Sequence, residues 1–179
     1  MIVGLLILRV ALGLTLAAHG AQKLWGWFGG GGLEGVGAWL ESQGFSPGRR
    51  AALFAGVAEA GGGLALAFGL LTPLAAASIV GVMLVAIVTA HLSSGFFAQN
   101  GGYEYPLVLA LGATSLAFTG PGAISLDALL GLELSGAVWG LGALLVGAVG
   151  GAVQLAGRQR QAPAPSQAEP QSARDSLAA

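Results

Sequence analysis

The stretch AALFAGVAEAGGGLALAFGLL, residues 51–71, decides the class of this protein. It contains one charged side chain, Glu59, among small and apolar residues. About 20 mostly apolar residues let a helix cross a bilayer, so the stretch predicts a transmembrane helix. A carboxylate at that depth is costly unless a partner or a task compensates for it. The same stretch therefore marks a place to look for function.

The rest of the chain has the composition of an integral membrane protein. Of its 179 residues, 55% are hydrophobic and 8% are charged, and the mean hydropathy is +0.78. A soluble domain carries roughly a quarter charged residues. The net charge of −1 gives no indication of nucleic-acid binding. Because the chain has no cysteine, thiolate metal sites and thiol redox relays are excluded, and no metal site is predicted.

Apolar segments on both sides of this stretch bring the predicted number of transmembrane helices to five. The first segment carries Arg9 in its interior and is too long for a secretory signal, so we expect a permanent helix. The fourth segment is the shortest. The five predicted spans are residues 2–22, 51–71, 73–92, 105–118 and 135–155.

Two segments outside the spans have distinct compositions. Residues 24–50 begin with Trp25 and Trp27, which favour the headgroup level, and continue with apolar residues at helical spacing. We therefore expect an interfacial loop with a short helix. Residues 157–179, rich in Pro, Ala, Gln and Ser, predict a disordered tail.

The basic residues outside the spans predict the orientation. With five spans they all fall on one side, and basic loops favour the cytoplasm. We expect a bacterial plasma-membrane protein with its N-terminus outside and its C-terminus in the cytoplasm. An alternative with four spans and a re-entrant last segment leaves Arg158 and Arg160 outside. The basic residues concerned are Lys23, Arg49, Arg50, Arg158, Arg160 and Arg174.

Ionisable residues recur near the predicted cytoplasmic ends of the spans. His19 and Lys23 share one face of the first helix with the deeper Arg9. Depth can be counted from the predicted cytoplasmic end of each span at about 1.5 Å per residue. On this count His19 lies about 6 Å deep, Glu59 about 13 Å and Arg9 about 21 Å. His91 ends the third span and Glu104 begins the fourth. We therefore predict a polar pocket near the cytoplasmic face.

Each of these residues also has a structural explanation. In these explanations, Arg9 would pair with Glu59 or extend its charge towards water, and Lys23 would anchor a helix end at the interface. His19 and His91 donate to backbone carbonyls. Glu104 would begin its helix, where a negative charge interacts favourably with the helix dipole.

Three glycine or histidine patterns are weaker signals. The run Gly29–Gly32 lacks the Lys-Ser/Thr of a phosphate loop, so no nucleotide site is predicted. Haem held by His19 and His91 is geometrically conceivable but rests on two histidines alone. The last span has a small-residue face typical of helix packing or of a homo-oligomer seam. Its members are Gly136, Gly140, Gly147 and Gly151.

Five ordered motifs between Val3 and Leu130 resemble the DoxX family of small bacterial membrane proteins. They are His19-Gly20-Ala21-Gln22-Lys23-Leu24 with Trp27-Phe28-Gly29-Gly30; Glu59-Ala60-Gly61-Gly62 with Gly69-Leu70-Leu71-Thr72; His91-Leu92 with Gly95-Phe96-Phe97; Gly102-Tyr103-Glu104-Tyr105-Pro106; and Gly120-Pro121-Gly122 with Ser125-Leu126-Asp127. The resemblance implies an all-α four-helix transmembrane bundle in residues 1–133. Residues 134–156 would add a fifth transmembrane helix.

The resemblance also suggests redox chemistry, because relatives include a subunit of an archaeal thiosulfate:quinone oxidoreductase. We predict a membrane subunit of a quinone-linked oxidoreductase, in which proton-exchanging groups line the pocket. The candidate catalytic residues are Glu59, His19, His91 and Glu104. The candidate substrate-binding residues are Arg9, Lys23, Trp25, Trp27 and Tyr103.

No flavin or iron–sulfur motif accompanies these residues, so a redox partner protein would supply the electrons. The alternative is a non-catalytic membrane anchor, or a module that binds a lipid or small solute for a partner. Transport is a third option, weakened by the absence of a visible inverted repeat.

Overall fold

The computed structural model describes residues 2–159, and the elements within that range are helices and turns without a strand. The tail predicted at 157–179 lies almost entirely outside the described residues. The helices are α1 (Ile2–Trp25), α2 (Gly32–Ser42), α3 (Gly48–Phe68), α4 (Thr72–Ala86), α5 (Glu104–Thr119), α6 (Leu126–Leu129) and α7 (Ala137–Ala156). A π-helical turn, Ile87–His91, continues α4.

The fold is an all-α membrane bundle, as the sequence predicts. The five predicted spans correspond to α1, α3, α4, α5 and α7, and α2 is the short helix expected between the first two. Within residues 2–159, four helices are long and apolar enough to cross a membrane: Ile2–Trp25, Gly48–Phe68, Thr72–Ser94 and Ala137–Ala156. Large apolar side chains such as Ile7, Phe54 and Val138 are exposed on the bundle surface, which suits contact with lipid.

The helix α5 is shorter than the other long helices but still links the two ends of the bundle. Its 16 residues extend about 24 Å. At its start, the Glu104 amide donates to the Phe96 carbonyl at 2.8 Å. Past its end, the Gly136 amide donates to the Phe118 carbonyl at 2.8 Å, so α7 begins where α5 stops.

The bundle therefore has two distinguishable ends. We call the end that carries Lys23, Arg49, Arg50 and Arg158 the basic end. The opposite end, which holds the α3–α4 turn and the segment between α5 and α7, is the distal end.

Helices α1 and α3 form the closest pair because small residues face each other along their antiparallel contact. A Cβ on Gly13 would lie 2.5 Å from the Gly63 carbonyl oxygen. Gly20 lies similarly close to the backbone of Ala60, and all these residues are buried. Such close approach is how helices associate where water supplies no driving force. It places Glu59, next to Ala60, at the helix contact.

The glycine face of α7 is a helix-packing face within this chain, which is one of the two roles that the sequence suggested. Gly140 lies against Phe118 of α5, and Gly147 lies against Val80 of α4. Gly151 contacts Gly81 in the same way. These three glycines are buried, while Gly136 is the residue that precedes the helix. At Gly140, Gly147 and Gly151 this face is therefore covered by α4 and α5.

Candidate functional site

Glu59 forms the centre of the candidate site. Its side chain is 3% exposed, and its Oε2 accepts a hydrogen bond from the Lys23 ammonium, whose side chain is 26% exposed. The sequence prediction that Glu59 faces protein rather than lipid is confirmed. Removing a partner from a buried ion pair is costly, so these two residues depend on each other.

A second polar contact joins α1 to α5 next to this ion pair. The His19 Nε2 and the Tyr105 hydroxyl oxygen are 3.0 Å apart, with the donor set by the histidine tautomer. The Tyr105 hydroxyl also lies within electrostatic range of Glu59. Tyr105 is 43% exposed on the bundle surface. We call His19, Lys23, Glu59 and Tyr105 the acid–base cluster.

The spacing of residues along α1 explains why two members of the cluster lie together. His19 and Lys23 are four residues apart, so they lie one above the other on the same face. Lys23 is in the last turn of α1, where a positive charge also interacts favourably with the helix dipole. The close contact with α3 then brings Glu59 to Lys23.

Sequence reasoning chose Tyr103 as a binding residue and missed Tyr105. Tyr103 precedes α5 and packs edge-on against Phe96, with ring centroids 5.5 Å apart. Tyr105 lies inside the first turn of α5. Successive helix positions differ by about 100° in direction, so a two-residue shift changes which helix a tyrosine faces. Only the packing of α5 against α1 reveals which one meets His19.

His91 and Glu104 lie at the basic end but bond to their own connecting segment rather than to Glu59. The His91 Nδ1 is 2.7 Å from the Gly101 carbonyl oxygen. The Glu104 Oε2 accepts from the Ala98 amide at 3.0 Å. The His91 contact matches the structural explanation given for that residue. Glu104 does begin α5, as that explanation for it requires, but its bond to Ala98 was not predicted. Both contacts shape residues 92–103.

The predicted pairing of Arg9 with Glu59 is wrong. Arg9 is 4% exposed at the distal end, where it donates to the Ile124 carbonyl and lies within electrostatic range of Asp127. It is 14 residues from Lys23 along α1, about 21 Å away. Arg9 therefore does not join the acid–base cluster.

Asp127, which the sequence placed in a connecting segment, is the other polar centre of the distal end. It is 1% exposed and accepts hydrogen bonds from the Leu71 amide at 2.7 Å and the Thr72 amide at 3.0 Å. The Thr72 hydroxyl donates to it at 2.7 Å. Leu71 has a left-handed backbone with φ 46°, so Asp127 stabilises an unfavourable turn at the start of α4.

Aromatic residues extend from the acid–base cluster into the α1–α2 connection. The rings of Trp25 and Trp27 have centroids 5.2 Å apart, and they are 60% and 58% exposed. Exposed tryptophans suit the headgroup level of a bilayer. Two cavities that share Phe45 and Phe54 in their lining are formed by residues outside the cluster.

A metal centre has no support in the described part of the chain. No group of three or more His, Cys, Asp or Glu side chains able to hold a metal ion occurs in residues 2–159. The cluster instead offers an ion pair, an imidazole and a phenol, which are groups that exchange protons and hydrogen bonds.

The comparison with known protein families gives one match. The DoxX family model matches residues 4–92, about half of the chain, which includes His19, Lys23 and Glu59. The comparison with curated proteins gave no match, and neither did the comparison with solved structures. The motif order, the helical bundle and this match agree, and the chain belongs to the DoxX family.

Proposed function

We propose that this protein is the membrane subunit of a quinone-linked oxidoreductase system and that its acid–base cluster exchanges protons with the quinone. The observation that supports the proposal is the buried Lys23–Glu59 pair beside the His19–Tyr105 contact. Four groups that can carry or hold protons lie together near the basic end of the bundle. That arrangement is more than a single anchoring ion pair needs.

The donor groups of the cluster suit a quinone, which enters from the bilayer. A quinone has carbonyl oxygens that accept hydrogen bonds, and its reduction consumes two electrons and two protons. Tyr105 is half exposed to the region that lipid occupies, and its hydroxyl can donate to such an oxygen. Lys23 can donate from the interface side.

The residues behind Tyr105 would move and hold the proton. His19 returns a proton to the Tyr105 hydroxyl, because the two are within hydrogen-bond distance. Glu59 holds the ammonium of Lys23 in place, and the positive charge favours negative charge that develops on a nearby oxygen. Trp25 and Trp27 would contact the ring of the substrate.

The electrons require a redox partner protein. The sequence has no cysteine for iron–sulfur ligation and no flavin motif. In this proposal the protein lies in the bacterial plasma membrane, and the basic end faces the cytoplasm, where the partner would dock.

The test is quinone binding by the purified full chain in lipid nanodiscs, measured by quenching of tryptophan fluorescence. Glu59→Gln leaves Lys23 without its carboxylate, so we expect quinone affinity to fall about tenfold. Glu34→Gln is the matched control, because Glu34 forms an exposed ion pair with Arg49 at 2.8 Å. Tyr105→Phe, which removes only the hydroxyl, should also weaken binding.

Two results would contradict the proposal. One is the absence of saturable quinone binding in the unaltered protein. The other is equal quinone affinity in Glu59→Gln, Tyr105→Phe and the unaltered protein, all with native thermal stability. Either result favours a non-catalytic anchor in which the ion pair only fixes α1 against α3.

A further inference from the structure

A groove on a different face of α3 from Glu59 has no role in the proposal above. It has a volume of about 360 Å³ and lies between α3, α4 and α7. Its walls are largely apolar side chains and small residues, among them Phe54, Ala58, Leu74, Val85, Val146 and Gly150. None of the acid–base cluster residues lines it.

The groove is open because α7 contributes glycine where a larger side chain would fill it. A Cβ added at Gly150 meets nothing within 4 Å. Gly147 and Gly151 let α7 lie against α4 deeper in the bundle. On α4 the groove wall runs from Leu74 to Val85, which is about 16 Å along the helix. The groove is therefore long and narrow within the membrane-embedded part of the bundle.

A second cavity continues the groove to the basic end. The two share Phe45, Phe54 and Gly150 among their lining residues. The polar groups that line the second cavity include the side chains of Ser46, Arg50 and Gln154. The groove therefore has an apolar body and a cationic mouth.

Arg50 is the charged residue that determines which kind of ligand group the opening of the groove would bind. Within residues 2–159 it has no ion-pair partner, whereas its neighbour Arg49 pairs with Glu34. The described lining of the two cavities contains no acidic side chain. Glu41 lies nearby, against Gly48, but outside that lining. An exposed guanidinium at the interface attracts phosphate and can bind it with two hydrogen bonds.

We propose that this groove binds one anionic glycerophospholipid. An acyl chain lies in the apolar groove between α3, α4 and α7, and the phosphate accepts hydrogen bonds from Arg50. Ser46 and Gln154 supply further donors at the same mouth. A quinone fits the apolar part equally well but is neutral, so it leaves the charge of Arg50 unused. The site shares no residue with the acid–base cluster and does not depend on the quinone proposal.

The experiment measures lipid retention by native mass spectrometry after purification in mixed micelles of phosphatidylglycerol and phosphatidylcholine. We expect one phosphatidylglycerol to be retained per chain. Arg50→Gln should lower the preference for phosphatidylglycerol about fivefold. The matched control is Arg49→Gln, which removes an adjacent charge that lies outside the cavity lining. It should leave the preference unchanged.

A second pair of variants tests the groove itself. Gly150→Leu fills the groove without a clash at Cβ and should abolish lipid retention. Gly142→Leu has equally open surroundings on α7 and lies outside both cavities, so it should retain the lipid. Thermal unfolding of each variant verifies the fold.

Three outcomes overturn the inference. The first is an equal loss of preference in Arg50→Gln and Arg49→Gln, which indicates a diffuse surface charge. The second is full retention of lipid by a folded Gly150→Leu variant. The third is retention of a neutral quinone in place of the lipid, with no response to Arg50→Gln. If the variants lose lipid binding but still bind quinone, the quinone proposal is unaffected.

Discussion

At the scale of single residues, the Lys23–Glu59 pair ties the stability of the bundle to its candidate chemistry. Lys23→Met leaves the carboxylate of Glu59 buried without a partner. We expect it to lower the free energy of unfolding by about 3 kcal/mol, towards the lower end for buried pairs because Lys23 is partly exposed. Denaturant unfolding in a fixed detergent measures this loss.

The double variant separates a lost pair from an isolated charge. Lys23→Met combined with Glu59→Gln should be more stable than Lys23→Met alone, because no buried charge remains. Arg49→Met, which breaks the exposed pair with Glu34, should cost less than about 1 kcal/mol. Equal losses in Lys23→Met and Arg49→Met would show that the Glu59 site is solvated.

Asp127 gives a second prediction at the residue scale. Asp127→Ala removes the acceptor of three hydrogen bonds from Leu71 and Thr72. We expect a loss of about 3 kcal/mol in the free energy of unfolding, since buried donors lose a charged partner. Glu133→Ala, at an exposed position of the same connecting segment, is the control and should change stability little. A similar small loss in both variants would refute the capping role.

At the scale of elements, the contact between α1 and α3 determines the geometry of the cluster. Gly20→Leu introduces a side chain against the backbone of Ala60, so α1 must move away. We expect reduced thermal stability together with weaker quinone binding. Gly61→Leu is the control on α3, because a Cβ there meets nothing within 4 Å. Unchanged stability of Gly20→Leu would contradict the close approach.

The helices themselves were predictable, because the length of an apolar run can be read from its own segment without knowing which helices pack beside it. The ends of α1, α3 and α7 agree with the predicted spans to within about three residues. The partners of the polar side chains were less predictable, because they depend on which helices are neighbours. Glu59 could be assigned to a protein-facing surface from its Gly and Ala surroundings. The partner of Arg9 could not be predicted, because Ile124 lies 115 residues away in the sequence.

At the scale of the whole molecule, the position of the basic end predicts the orientation in the membrane. The chain has no cysteine, so single introduced cysteines can be labelled without background. We expect a membrane-impermeant maleimide to label Leu129→Cys on intact cells, since Leu129 is 80% exposed at the distal end. Gly35→Cys, in open surroundings on α2, should react only after permeabilisation. The reverse pattern would place the basic end outside.

The position of α4 in the bundle limits how far the family segment can act alone. α4 packs against α3, α5 and α7, and Ala76 and Ile79 on it are fully buried. The matched segment stops at residue 92, before α5 and α7 begin. A truncation there would keep Lys23 and Glu59 but leave α4 without two of its neighbours. We therefore expect the matched segment to need the helices that follow it in order to fold.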